Sequence, residues 1–304
     1  MSLQNLALSW ALRRWVKPNS LRDQDIVASR ALTGRVPFRA KLAPGWRIRP
    51  SHQGALAGEW IEPASPNHPA RKRCILYFHG GAYVAMSART HRSITSRLAA
   101  SSGSSLFALD YRLAPEYPFP AALEDALAAY RALIATGTPA SSIAIAGDSA
   151  GGGLALALLI ALRDAKDPLP AAAAVFSPWT DLAATGRSIA SNDAADVMFF
   201  GSWVGQVARH YLADTPAANP LASPVYADLT GLPPLLIQVS DSEVLLDDSR
   251  RVFDHARQSG VAATLEIWPG LPHDWQIFAP ILPEARAALR EAGAFIRARF
   301  QHAA

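Results

Sequence analysis

The chain predicts an α/β fold, a mostly parallel sheet with helices on both faces and a helical cap. Three observations predict it. From residue 74 onward, short apolar runs alternate with helical patterns. The runs are continuous rather than alternating, as strands covered on both faces are. A glycine-flanked serine, Gly147-Asp148-Ser149-Ala150-Gly151, sits where one such run gives way to a helix.

Residues 3–16 place Leu3, Leu6, Ala7 and Trp10 at the spacing of one helix face, and Pro18 ends that helix. Ser20-x-x-Asp23 reads as the cap of a second helix running through Ile26 and Val27 to Gly34. Both helices precede any strand, so they pack on something built later, either as core cover or as part of a lid. Two strands follow near 46–49 and 56–61, an antiparallel pair at one edge, with turn signals at 50–54 and 63–69. The buried strands are 74–78, 105–109, 143–146, 171–176, 235–239 and 263–268. Helices lie between them near 90–100, 120–135, 152–164 and 247–258, with a last one near 284–299. The interval 180–234 breaks this rhythm. It is long for a connection, and 197–212 reads as a helix carrying Met198, Phe199, Phe200 and Trp203. An insertion with its own helix and aromatics between two sheet strands predicts a cap over the site. The expected organisation is therefore cap helices at 1–44, a core of 45–179 and 235–304, and a cap insertion at 180–234.

Composition excludes several classes. Half of the 304 residues are hydrophobic, which suits a globular chain with a substantial core. The net charge of +4 is mild, and Arg71-Lys72-Arg73 is a solvated approach to a strand, so no nucleic-acid partner is expected. Cys74 is the only cysteine and sits in an apolar run, so it reads as a core thiol. No stretch reaches the roughly 18 apolar residues needed to span a bilayer. The N-terminus lacks a charged leader, and a soluble cytoplasmic protein without stable membrane insertion is expected.

The chemistry gathers at strand ends. A sharp strand-to-helix turn crowds its apex, so Gly147 and Gly151 must flank Ser149 with almost no side chain. The helix that follows aims its first N–H groups at the exposed hydroxyl, an arrangement suited to acyl transfer. Strand 74–78 ends in His79-Gly80-Gly81-Ala82-Tyr83. The paired glycines let the backbone turn N–H groups inward, so Gly80, Gly81 and Ala150 are the expected oxyanion-hole donors. His79 braces this loop rather than acting as base. After strand 235–239 come Asp241, Glu243, Asp247 and Asp248, and after strand 263–268 comes Pro272-His273. Nucleophile, acid and histidine thus follow in order at the carboxyl edge of the sheet, where open parallel sheets hold their sites. His91, His210 and His255 fall in helices as surface or packing residues, while His52 and His68 fall in early loops.

Taken together, His79-Gly80-Gly81-Ala82, Tyr111-Arg112-Leu113-Ala114-Pro115-Glu116, Gly147-Asp148-Ser149-Ala150-Gly151-Gly152 and Pro272-His273 resemble the hormone-sensitive lipase family, in its bacterial branch with this serine motif. The likeness covers about residues 45–300. It implies an α/β-hydrolase fold, a carboxylesterase for short acyl chains, no cofactor or metal, and a homodimer through the last strand and helix. It also implies that the N-terminal helices join 180–234 in a lid. The family's acid begins an Asp-x-Leu-x-Asp pattern, and Glu243, Leu245 and Asp247 occupy that frame here. Glu243 is therefore favoured over Asp241, while Asp247 and Asp248 are expected to cap the next helix. Asp148 reads as structural. Tyr83, Met198, Phe199, Phe200 and Trp203 are the expected substrate-binding wall. A non-catalytic receptor on this fold, as in the plant hormone receptors of the family, would lack a triad member, and none is missing. An amidase or acyltransferase would use the same nucleophile.

Overall fold

The computed structural model describes residues 1–19, 26, 27, 30, 34 and 41–302. Eight strands form one sheet: β1 (Trp46–Gln53), β2 (Leu56–Pro63), β3 (Cys74–Phe78), β4 (Ser105–Leu109), β5 (Ile143–Asp148), β6 (Ala172–Phe176), β7 (Leu235–Ser240) and β8 (Ala263–Trp268). Their spatial order is β1-β2-β4-β3-β5-β6-β7-β8. β1 and β2 are antiparallel at one edge, and every pair from β4 to β8 is parallel. Strands β3 to β7 are buried along their whole length, as continuous apolar runs require.

Alternate side chains of each strand enter opposite layers. Leu76 and Phe78 belong to the core layer that holds α3 (Ala121–Ala135), α4 (Ala150–Asp164) and α7 (Leu246–Gln258), whereas Ile75 and Tyr77 belong to the layer with α2 (Arg92–Ser102) and α8 (Pro283–His302). Between β6 and β7, the chain adds α5 (Ser188–Ser191) and α6 (Gly201–Leu212). Helix α6 starts later than 197 because Asp196 Oδ1 takes the N–H groups of Met198 and Phe199, at 2.7 and 3.0 Å, and holds them in a turn.

At the N-terminus, α1 (Leu3–Ala11) continues through a wide turn and a 3₁₀ turn to Asn19, with Pro18 in the last turn. This segment grips the insertion. The Arg13 guanidinium donates to the carbonyls of Ala194 and Ala195 at 2.7 and 3.0 Å, and the Lys17 ammonium to that of Asp196 at 2.8 Å. The helix expected at 20–34 lies largely outside the described residues. No helix among those described is long and apolar enough to cross a membrane.

Candidate active site

Strand β5 delivers Ser149 to the carboxyl edge of the sheet and α4 carries the chain away, leaving Ser149 at φ 51°, ψ −120°. A non-glycine residue in that conformation is strained, and the surroundings must impose it. They do so by tight backbone contact. A Cβ at Gly147 would lie 2.3 Å from the Gly151 carbonyl oxygen, and one at Gly151 would lie 2.1 Å from that of Phe78. The Ser149 N–H donates to the Phe176 carbonyl at 2.8 Å, and its own carbonyl accepts from Trp179 and Gly153 at 2.9 and 3.1 Å. The hydroxyl is thus fixed at the head of α4.

The loop after β8 brings His273 to the same cavity as Ser149. Its Nδ1 donates to Glu243 Oε2 at 2.6 Å, and both side chains are buried. Glu243 Oε1 in turn accepts from Ser177 Oγ at 2.7 Å and the Ser240 N–H at 2.8 Å. Asp241 serves elsewhere, accepting the Gly270 N–H at 2.7 Å. The other ring nitrogen, Nε2, lies 3.0 Å from Asp274 Oδ2 but makes no hydrogen bond among the described residues. Burial alone would lower the His273 pKa, but Asp274 and Glu243 more than offset it and hold it well above the ordinary histidine value. Burial pushes Asp274 up to about 7, with Asp148 and Glu243 adding to it and His273 opposing.

Asp148 is the hub beneath the serine. It accepts from the Tyr77 hydroxyl, from the Gly80 N–H at 3.0 Å and from His91 Nε2 at 3.0 Å. Burial would raise this carboxyl, but His91 and the hydrogen bonds from His91 and Tyr77 outweigh burial and keep it below its ordinary value. His79 lies in the same layer, with Nδ1 2.7 Å from the Gly80 carbonyl and its ring stacked on Tyr111 at 4.3 Å. Burial, with His91 beside it, pulls His79 down to about 3, so it stays neutral. The ring props the loop, as its place before two glycines suggests.

Residues 75–277 match the family described as an alpha/beta hydrolase fold. The chain is 48% identical to an acetyl-hydrolase of Streptomyces hygroscopicus over 244 residues, 80% of each protein. It is 34% identical to an esterase of Acinetobacter venetianus, covering 83% of this chain and 82% of that one. Among solved structures, an esterase from the bacterial hormone-sensitive lipase family superposes with a TM-score of 0.91 at 41% identity, covering 99% of each chain. The esterase EstE5, soaked with p-nitrophenyl butyrate, superposes with a TM-score of 0.91 at 39% identity, covering 99% of this chain and all of that one. The chain belongs to the hormone-sensitive lipase family of α/β-hydrolases. It is a carboxylesterase.

The esterase's cavity encloses about 410 Å³ above Ser149. Met198, Phe199 and Trp203 line it, with Phe199 stacked on Trp203 and edge-on to His273, both at 5.1 Å. Two expected wall residues do not. Tyr83 is buried below the floor, stacked on Tyr211 at 3.7 Å, because the chain turns at positive φ there and drives the ring into the core. Phe200 faces outward, with the Lys17 ammonium 4.7 Å from its ring centre.

Gly80 also departs from its expected role, since its N–H is spent on Asp148. Gly81 and Ala82, one residue further along, line the cavity instead, and Ala150 is the first residue of α4. Asp247 and Asp248 do not cap α7. Asp248 Oδ2 accepts the N–H groups of Thr180 and Asp181 at 2.7 and 2.8 Å, and Asp247 that of Ser188 at 3.0 Å. They anchor the insertion to the core, while their charges still favour the first turn of α7.

Sequence reasoning missed Trp15, Val16 and Asn19, which complete the rim, and Trp179, which follows β6 at the same sheet edge as the other functional residues. The strand-end rule that located the acid and the histidine points equally to Trp179. The N-terminal helices are expected in a lid, but no sequence signal tells which of their residues reach the cavity.

Proposed function

We propose that the esterase hydrolyses short-chain carboxylic esters through an acyl-Ser149 intermediate, with His273 as general base and Glu243 as the acid that orients it. The observation carrying this reading is the strained Ser149 at the head of α4, facing one cavity with an imidazole whose Nδ1 is held by a buried carboxylate. Because Glu243 holds the Nδ1 proton, Nε2 is the nitrogen that accepts the Ser149 proton as Oγ bonds to the ester carbonyl carbon. The resulting imidazolium returns that proton to the departing alkoxide. Water then attacks the acyl-serine with the same base. The N–H groups of Gly81, Ala82 and Ala150 are the oxyanion donors, and the helix dipole of α4 adds to their field.

Short acyl groups are supported by the size of the cavity and by the bulk of Met198, Phe199 and Trp203. The acetyl-hydrolase and the butyrate-soaked relative point the same way. The N-terminal residues described up to Asn19 and the insertion 180–234 together form the lid over this cavity. A homodimer through the free edge of β8 and through α8 is part of the same reading, with Ile267 half-exposed on that edge.

Ser149→Ala is expected to abolish hydrolysis of p-nitrophenyl butyrate and labelling by a fluorophosphonate, with the fold intact by circular dichroism. Retained turnover in that variant would overturn the mechanism. Equal turnover of butyryl anilide and butyryl ester would identify an amidase instead.

A further inference from the structure

Both nitrogens of the His273 ring face a carboxylate. Glu243 Oε2 takes Nδ1 at 2.6 Å, and Asp274 Oδ2 stands 3.0 Å from Nε2, the nitrogen required by the serine. Asp274 is the residue ahead of a 3₁₀ turn (Trp275–Phe278), a position where a carboxylate ordinarily caps N–H groups, yet its side chain makes no capping bond. It is turned into the cavity, and its Oδ1 is buried without a partner among the described residues. A buried carboxylate that forgoes its local partners to stand against an imidazole interacts mainly with that imidazole's charge.

We propose that Asp274 is a positioning residue for ester hydrolysis, a second carboxylate that sets the pH at which His273 becomes available as a base. The inference rests on the assignment of His273 as base. When His273 is neutral, its Nε2 lone pair faces an anionic oxygen, which is unfavourable. The arrangement therefore favours one proton on the pair, carried by Nε2 or by Asp274. While that proton is present, Nε2 cannot accept another from Ser149. Once it is lost, the remaining carboxylate favours the imidazolium that forms as the serine attacks. Asp274 thus trades activity on the acid side for a stronger base on the alkaline side.

The other titratable groups around it bias the same balance without replacing it. Asp148 at the end of β5 and Glu243 after β7 repel a second negative charge, and each raises the cost of ionising Asp274. The Asp274 carboxylate favours the charged form of His91 ahead of α2, whereas it opposes ionisation of the Tyr77 hydroxyl on β3. Burial and these carboxylates push Asp274 up to about 7.

The test is the pH profile of kcat/KM on p-nitrophenyl butyrate for wild type, Asp274→Asn and Asp274→Gly. Asp274 sits at φ 49°, ψ 42°, a left-handed conformation that asparagine and glycine both accept. Both variants are expected to move the acid limb to lower pH by about one to three units. An acid limb that stays in place in both would overturn the proposal, whereas a structural role would lower the whole curve without moving it. A measurement on the unmodified enzyme stands beside this. The ¹⁵N resonances of His273 should show the ring protonated above the ordinary midpoint of about 6.5. A midpoint at or below that value would also overturn the proposal. If His273→Ala keeps full activity, the triad assignment fails. If that variant is inactive while the Asp274 profiles match wild type, only the role of Asp274 fails.

Discussion

Replacing Glu243 by glutamine tests the acid at the level of a single proton. Glu243 Oε1 accepts from Ser177 Oγ and the Ser240 N–H, and the amide oxygen of glutamine can keep both bonds. The amide nitrogen then falls where Oε2 stood, 2.6 Å from His273 Nδ1. Two donors cannot share that line, so the ring must place its proton on Nε2 and turn its lone pair toward the glutamine. In that tautomer Nε2 cannot accept the serine proton. An acid-to-amide change of this kind elsewhere costs about 10⁴ in kcat, which at 1.36 kcal/mol per tenfold is about 5 kcal/mol of transition-state stabilisation. Because Glu243 lies behind the histidine rather than on the cavity wall, KM is expected to stay within a few-fold. The matched control is Asp241→Asn, whose side chain bonds only the Gly270 N–H among the described residues and should leave kcat nearly unchanged. Steady-state kinetics on p-nitrophenyl butyrate read both, with thermal melting to verify the fold. A Glu243→Gln enzyme within tenfold of wild type, or a collapse in Asp241→Asn alone, would refute the reasoning.

Three further outcomes follow, two from the cavity wall and one from a buried acid. Phe199→Ala removes a ring facing both Trp203 and His273, and should raise kcat/KM for octanoyl relative to butyryl esters by at least about tenfold. Phe200→Ala, whose ring faces Lys17 outside the cavity, should leave the chain-length profile unchanged. Burial pushes Asp248 up to about 7 where it pins Thr180 and Asp181, whereas an unfolded chain titrates it near 3.9. Between those values the native state holds a proton that the unfolded state has lost, so this group makes stability fall as pH rises through that window. Asp248→Asn should therefore gain on wild type in urea denaturation at pH 8 relative to pH 5. An equal difference at both pH values would remove Asp248 from the account.

The parts of the site legible in the sequence are those where local backbone chemistry leaves no alternative. Gly147 and Gly151 are demanded by carbonyl oxygens just over 2 Å from where a Cβ would stand, so the motif around Ser149 betrays the turn before any fold is known. Continuous apolar runs announced the parallel sheet, and the serine, the acidic residues and the histidine lie in that order at the ends of β5, β7 and β8. The family resemblance favours Glu243 over Asp241 through its frame with Leu245 and Asp247, and the structure places Glu243 against His273.

Side-chain direction belonged to the tertiary structure. Tyr83 and Phe200 are aromatic and close in sequence to cavity residues, yet positive φ turns one into the core and an extended residue turns the other outward. Gly80 lost its N–H to Asp148, a residue 68 positions away, and that donor choice depends on where β3 and β5 lie side by side. Likewise Asp247 and Asp248 look like caps by position, but the backbone of the insertion arrives with unpaired N–H groups and claims them. Sequence spacing specifies which backbone conformations are allowed. Which polar atoms meet is decided only when segments distant in the chain are packed dry against one another, where leaving a buried donor without an acceptor is costly.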